Sequence, residues 1–239
     1  MAQLPFGPAV PDVYIGVWKR TLLRTPKIED TTSRVFWMQT KSWHADIRVP
    51  ADRPPCKGAL TLDDLSSDEL SALARQQGFA GITVVEGAVC RWLRRCDFQP
   101  ASGENDIGRM VFETPDRVLE YGVEADYFEI WERVPGCQGE SFARRVSQDP
   151  LTLSLGTGNY RMTVRPRSAQ LPTADSLSAL AADTSIECLR ELLDFEISFG
   201  RIASPDTWRI SASTLPWREG VELALDGRDL ARAKGQFKP

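Results

Sequence analysis

The sequence predicts a mainly β fold with minor helix: an antiparallel up-and-down barrel followed by a second, smaller β domain. Three observations lead there. Runs rich in β-branched and aromatic residues recur about every 8–12 residues, roughly eight of them before Pro135. Turn pairs such as Glu86-Gly87 and Pro115-Asp116 divide these runs. Helical spacing is confined to short stretches.

Residues 1–12 contain three prolines and a glycine and read as an irregular arm. Residues 13–23, VYIGVWKRTLL, form the first strand run. SRVFWMQ (33–39) and SWHADIRV (42–49) then predict a hairpin turning at Thr40-Lys41. That turn pairs Met38 with Trp43, Trp37 with His44 and Val35 with Asp46. Residues 50–61 are a proline-rich loop. LDDLSSDELSALARQQG (62–78) reads as a helix, with its body near 67–77. Ser66 and Glu69 have capping-box spacing, Leu70 and Leu73 supply the apolar face, and Gly78 is the expected stop. GITVV and AVCRWLRRCDF flank Glu86-Gly87, GRMVFET and RVLEYGV flank Pro115-Asp116, and DYFEIWERV closes the series.

The boundary falls in the stretch from Gly136 to Gly139, which divides the chain into 1–136 and 137–239. Beyond it SFARRVS, LTLSLG, YRMTVRP, TWRISAS and EGVELAL read as strands. DSLSALAAD reads as a helix, ECLRELLDFEISFG as a helix turning into a strand at Phe195, and residues 226–239 as a polar tail. Gly156 to Gly158 is a β-turn rather than a phosphate loop.

Composition excludes several classes. Of 239 residues, 42% are hydrophobic and the net charge is −4, unlike a disordered chain or a dedicated nucleic-acid binder. In Arg91-Trp92-Leu93-Arg94-Arg95, strand alternation splits the basic residues between two faces, so no basic groove follows. No stretch reaches the roughly 18 apolar residues of a membrane span, and no signal peptide is visible. A single histidine argues against a multi-histidine metal site. Five cysteines (Cys56, Cys90, Cys96, Cys137, Cys188), with no CxxC pair, predict reduced thiols and a cytoplasmic protein. The P-loop, dinucleotide-binding and G-x-S-x-G motifs are absent.

Gly16-Val17-Trp18 lies inside the first strand run, and Arg133 ends the last run of the first half. A G-x-W so placed resembles the start of the lipocalin and wider calycin barrels. The resemblance implies that Trp18 plugs one end of the barrel and that Arg133 lies over it, with Gly16 leaving space. Two such halves, and the WERV segment closing the first, also resemble the Hri1-type two-domain family. That likeness implies two lipocalin-like β domains and carries no catalytic motif.

Alternation also sorts the candidate site residues. Val35, Trp37, His44, Asp46 and Arg48 share one face of the hairpin. Phe36, Met38, Trp43, Ala45, Ile47 and Val49 share the other, with Arg34, and suit a core or a domain interface. Tyr127, Glu129, Trp131 and Arg133 share a face of the last run. Glu129 is either a cavity acid or the ion-pair partner of Arg20. Trp92 and Arg94 point together, where Arg94 could meet an anionic ligand.

The first functional expectation is a lipocalin-like protein binding a small apolar or amphipathic molecule in the first barrel. Its contacts would be Trp18, Trp37, Arg48, Trp92, Arg94, Tyr127 and Trp131. The second is a cofactor-independent isomerase, hydratase, lyase or cyclase, with His44 as acid/base, Asp46 as its orienter and Glu129 as partner. The third is an interaction module with a filled barrel. Haem ligated through His44 is a further alternative; otherwise no cofactor or metal is expected. Nor is a nucleic-acid or membrane partner expected, and homo-oligomerisation stays open.

Overall fold

In a computed structural model that describes residues 7–101, 103, 105–148 and 151–225, strand makes up 47% and helix 15%. The first half runs β1 (Gly16–Arg24), β2 (Glu29–Asp30), β3 (Arg34–Gln39), β4 (Trp43–Val49), α1 (Ser67–Leu73), β5 (Gln77–Glu86), β6 (Val89–Asp97), β7 (Ile107–Thr114), β8 (Arg117–Gly122) and β9 (Phe128–Arg133). Each long strand pairs antiparallel with the next, and β9 returns to β1. The result is a closed eight-stranded barrel, with β2 as a short flap on β1. Closure removes the exposed strand edges that an open sheet would leave.

Two expectations need correction. The β3–β4 turn is centred on Lys41-Ser42, because Thr40 N–H donates to Trp43 O at 2.8 Å and Thr40 Oγ1 bonds the same residue. Trp37 therefore pairs with Asp46, Met38 with Ala45 and Gln39 with His44. The register moves by two residues, an even step, so each side chain keeps its expected face. The α1 helix starts as expected, with the reciprocal Ser66–Glu69 box, but ends at Leu73. Gly78 belongs to β5 instead. A Cβ there would lie 2.9 Å from Asp46 O and 2.7 Å from Ile197 Cδ1, so close strand approach, not helix termination, uses this glycine.

The chain leaves β9 through Pro135–Gly139 and builds a second sheet. It comprises β10 (Ser141–Gln148), β11 (Leu151–Thr157), β12 (Tyr160–Arg165), β13 (Glu196–Ser204), β14 (Thr207–Ser213) and β15 (Glu222–Ala224), hydrogen-bonded in that order. Helices α2 (Leu177–Asp183) and α3 (Ile186–Leu193) lie between β12 and β13, each with a serine N-cap. The expected polar tail, 226–239, lies outside the described residues, as do residues 1–6 of the expected arm.

The largest core lies between the two sheets, not inside the barrel. The outward set of the β3–β4 hairpin, including Met38, Trp43, Ala45, Ile47 and Val49, is buried against Leu153, Leu155, Met162, Val164, Ile197 and Phe199. Phe36 stacks on Phe199 with centroids 4.5 Å apart. Leu70 and Leu73 of α1 and Leu189, Leu192 and Leu193 of α3 extend the same core. Polar clamps cross it. Arg34 reaches Glu219 at 2.9 Å, and Arg167 donates to Phe98 O at 2.6 Å. Among the described residues no helix is long and apolar enough to cross a membrane.

Candidate functional site

One end of the barrel is sealed. Tyr14, Val10 and Trp18 fill it with Trp37, Phe112 and Val118. Trp18 Nε1–H donates to Tyr14 O at 2.8 Å, and Trp18 stacks on Trp37 at 6.2 Å. The Arg133 guanidinium covers the indole, its Cζ 4.2 Å from the ring centroid. It also donates to Ile15 O (2.6 Å), Val13 O (2.7 Å) and Pro115 O (2.8 Å). Gly16 makes this possible: a Cβ there would stand 2.6 Å from Arg133 Nη1.

His44 faces the interior and is fully buried. Gln39 Oε1 accepts from Trp37 Nε1–H at 3.3 Å and from the Thr83 hydroxyl at 2.7 Å. With its proton committed to Gln39, Thr83 Oγ1 must accept from His44 Nδ1, 3.0 Å away. The imidazole is therefore the Nδ1–H tautomer, and Nε2 is a bare buried acceptor. Burial, then the charge of Arg94, pushes the His44 pKa down to about 3. His44 and Asp46 do not form the expected acid–orienter pair. They lie two apart on one strand, but the first turns to Thr83 and the second to Arg48, whose Nε donates to Asp46 Oδ1 at 2.8 Å. A neutral, fully buried imidazole is a poor proton shuttle near pH 7.

The other end of the barrel is a charged mouth. Glu129 makes the ion pair with Arg20 (2.8 Å), and Arg20 also reaches Asp30 (3.1 Å). Arg94 bridges Asp97 and Asp106, each at 2.7 Å, and its Cζ sits 3.6 Å from the centre of the Phe79 ring. Glu120 is buried and has no ion pair among the described residues; its oxygens accept from Tyr127 Oη–H (2.7 Å) and Trp131 Nε1–H (2.9 Å). Desolvation, with Glu129 and Asp106 nearby, holds its carboxyl well above the ordinary range. Burial raises Asp46 too, against the pull of Arg48.

Between floor and mouth lies a void of about 10 Å³, bordered by Trp37, Trp92, Trp131, Phe79, Asp46, Arg48, Asp106 and Glu120. That is about one water molecule. Tryptophans crowd the space where the sequence led us to expect an open apolar cavity. Arg48 borders the void with a side chain 23% exposed, held to Asp46 by one short ion pair. A larger open cleft of about 460 Å³ lies at the seam near Leu60, Leu215 and Trp217. Its charges pair among themselves, Arg165 with Asp194 at 2.6 Å and Arg218 with Glu196 at 3.0 Å, so it presents no bare group.

No family model matches the chain, and no curated protein matches it. Two solved structures are similar. An uncharacterized protein from Saccharomyces cerevisiae shares 13% identity over 83% of this chain and 84% of its own, with a TM-score of 0.52. A lipocalin-like protein from Bacteroides uniformis shares 12% identity over 52% of this chain and 100% of its own, with a TM-score of 0.34. The yeast likeness extends across both halves and concerns the fold alone.

The structure brings Trp37, Trp92, Trp131, Asp46 and Arg48 to one void, with Arg94, Tyr127 and Glu129 around its mouth. Trp18 belongs to the sealed end and does not border this void. Sequence reasoning missed Phe79, Asp106 and Glu120. Phe79 directly follows the residues read as helix. Asp106 falls between the run ending at Phe98 and the one starting at Gly108, where alternation assigns no face. Glu120 shares its face with Val118, but Leu119 and Tyr121 make the opposite face equally apolar, so alternation could not tell which way the carboxyl points.

Proposed function

We propose that this protein binds a small molecule at the open mouth of its barrel. The observation that carries the reading is the convergence of Trp37, Trp92, Trp131 and Phe79 with the buried carboxyls of Asp46 and Glu120 on one void that the partly exposed Arg48 side chain also borders. Few convergent polar groups against aromatic walls are the usual composition of a ligand site. The ligand enters as Arg48 swings outward, and it meets indole faces below and carboxyls around it. Such a site suits an amphipathic molecule better than a purely apolar one. Kinship with the Hri1-type family belongs to the same proposal, supported by the G-x-W and WERV segments.

The test uses tryptophan fluorescence and melting temperature with a panel of small aliphatic and aromatic probes, on wild type and Arg48→Ala. Saturable quenching that Arg48→Ala strengthens is the expected result. No response in either protein would leave the barrel a filled scaffold. That second reading, an interaction module, is favoured by the small size of the void.

A further inference from the structure

We propose that the ligand of the barrel mouth is a small organic cation carrying N–H donors, an alkylammonium or alkylguanidinium. This rests on the mouth being a binding site and adds the chemical class of its occupant.

Charge is the first argument. The mouth collects six carboxyl groups, Asp30, Asp46, Asp97, Asp106, Glu120 and Glu129, against three guanidiniums, Arg20, Arg48 and Arg94. Arg20 and Arg94 each hold two carboxylates and are fully engaged. Arg48 is the guanidinium that borders the void. Once it moves out, Asp46 loses its short partner, and Glu120, which has no ion pair among the described residues and is kept protonated by burial, is a group whose ionised form a neighbouring cation would favour. An entering anion would meet uncompensated carboxyls, whereas a cation restores the balance that Arg48 supplied.

The second argument is independent of the acids. His44 Nε2 is a buried acceptor without a donor. Its Nδ1 edge is held toward Thr83, so Nε2 lies on the opposite edge of a ring that meets Phe79 side-on, with centroids 5.7 Å apart and planes at 73°. Phe79 itself borders the void. His44 does not itself border the void but touches Phe79, which does, so the unsatisfied group one contact behind the site is an acceptor, and it matches an occupant that donates better than one that accepts.

The third is the present occupant. Arg48 lies 5.3 Å from the centre of the Phe79 ring, 2.8 Å from Asp46 and 3.9 Å from Glu129. A guanidinium from the chain already shows the geometry that a ligand cation would take over: one aromatic face and two carboxylates. Gly108 leaves room for the Glu120 side chain that borders the void. A Cβ there would stand 2.9 Å from Glu120 Oε1.

The test is a titration of full-length wild type and Arg48→Ala with four probes: n-propylguanidinium, n-butylammonium, n-butanol and n-butyrate. Tryptophan fluorescence and melting temperature are the readouts. Both cations should bind Arg48→Ala saturably and raise its melting temperature, about tenfold or more tighter than n-butanol. Adding Glu120→Gln or Asp46→Asn should weaken them. If n-butanol or n-butyrate binds as well as the cations, the cation class is wrong and the mouth site survives. If cation binding ignores both carboxyl substitutions, the site lies elsewhere and the inference falls. If none of the four probes binds either protein, the mouth site falls and the inference with it. Should Arg48→Ala fail to fold, wild type and Arg48→Met carry the same ranking of probes.

Discussion

Arg133 covers Trp18 at 4.2 Å, and the space its Nη1 fills is the space a side chain at position 16 would need. Gly16 also has φ +146°, a conformation that L side chains rarely adopt. Gly16→Ala thus combines backbone strain with displacement of a guanidinium that satisfies three carbonyls. It should cost about 1–3 kcal/mol in equilibrium denaturation. Arg133→Met keeps the stem but strands Ile15 O, Val13 O and Pro115 O, and should cost about as much. A variant of either kind with wild-type stability would show that the plug does not hold the barrel end.

This plug was legible through a resemblance: Gly16-Val17-Trp18 resembles the start of lipocalin barrels, and that resemblance implied Arg133 over the indole. Faces were legible for a different reason. The β3–β4 pairing differs by two residues from the simplest turn, and parity protects the inward set Trp37, Asp46 and Arg48 against an even slip. Partner choice was not legible. His44 has Asp46 as its nearest titratable neighbour in sequence, yet it bonds Thr83 on the adjoining strand. Nor could spacing show that the barrel would be full. Filling depends on how the Trp18, Trp37, Trp92 and Trp131 rings interlock, a matter of rotamers and barrel curvature.

Burial of His44 makes stability depend on pH in a definite direction. The unfolded chain takes up a proton near pH 6.5, while the folded imidazole resists until about pH 3. Between those values the unfolded state binds more protons, so stability falls as pH falls, by up to about 1.4 kcal/mol per unit. His44→Asn can keep a donor toward Thr83 without titrating. The difference in unfolding free energy between wild type and His44→Asn should shrink or reverse steadily from pH 7 to pH 4. Parallel curves across that window would show that the imidazole is not buried neutral.

Glu120 works in the opposite sense. Its folded carboxyl stays protonated above the ordinary value of 4.5, so the folded state holds the extra proton and stability declines as pH rises through that range. Glu120→Gln retains the shape without the titration, its amide oxygen accepting from Trp131 Nε1–H and its amide N–H donating to Tyr127 Oη. Relative to wild type, the variant should gain stability between pH 4.5 and pH 8, on the order of 1 kcal/mol per unit until the folded group ionises. A constant difference over that range would mean that Glu120 is solvated or paired with a cation.

The seam between the barrel and the second sheet should make the two halves unfold together. Phe199 is buried in it, stacked on Phe36 of the barrel at 4.5 Å and on Tyr160 of its own sheet at 5.6 Å. Around it the outward hairpin face and the second sheet form one continuous apolar cluster, so neither half can lose the other without exposing that surface. Phe199→Ala should cost about 3–5 kcal/mol in a single transition, with barrel tryptophans and overall circular dichroism reporting the same midpoint. Two separated transitions, with the tryptophan signal unmoved by Phe199→Ala, would instead mean that the barrel stands alone. In that case the outward residues Met38, Ile47 and Val49 would have to tolerate water, which their burial against Leu153 and Ile197 argues against.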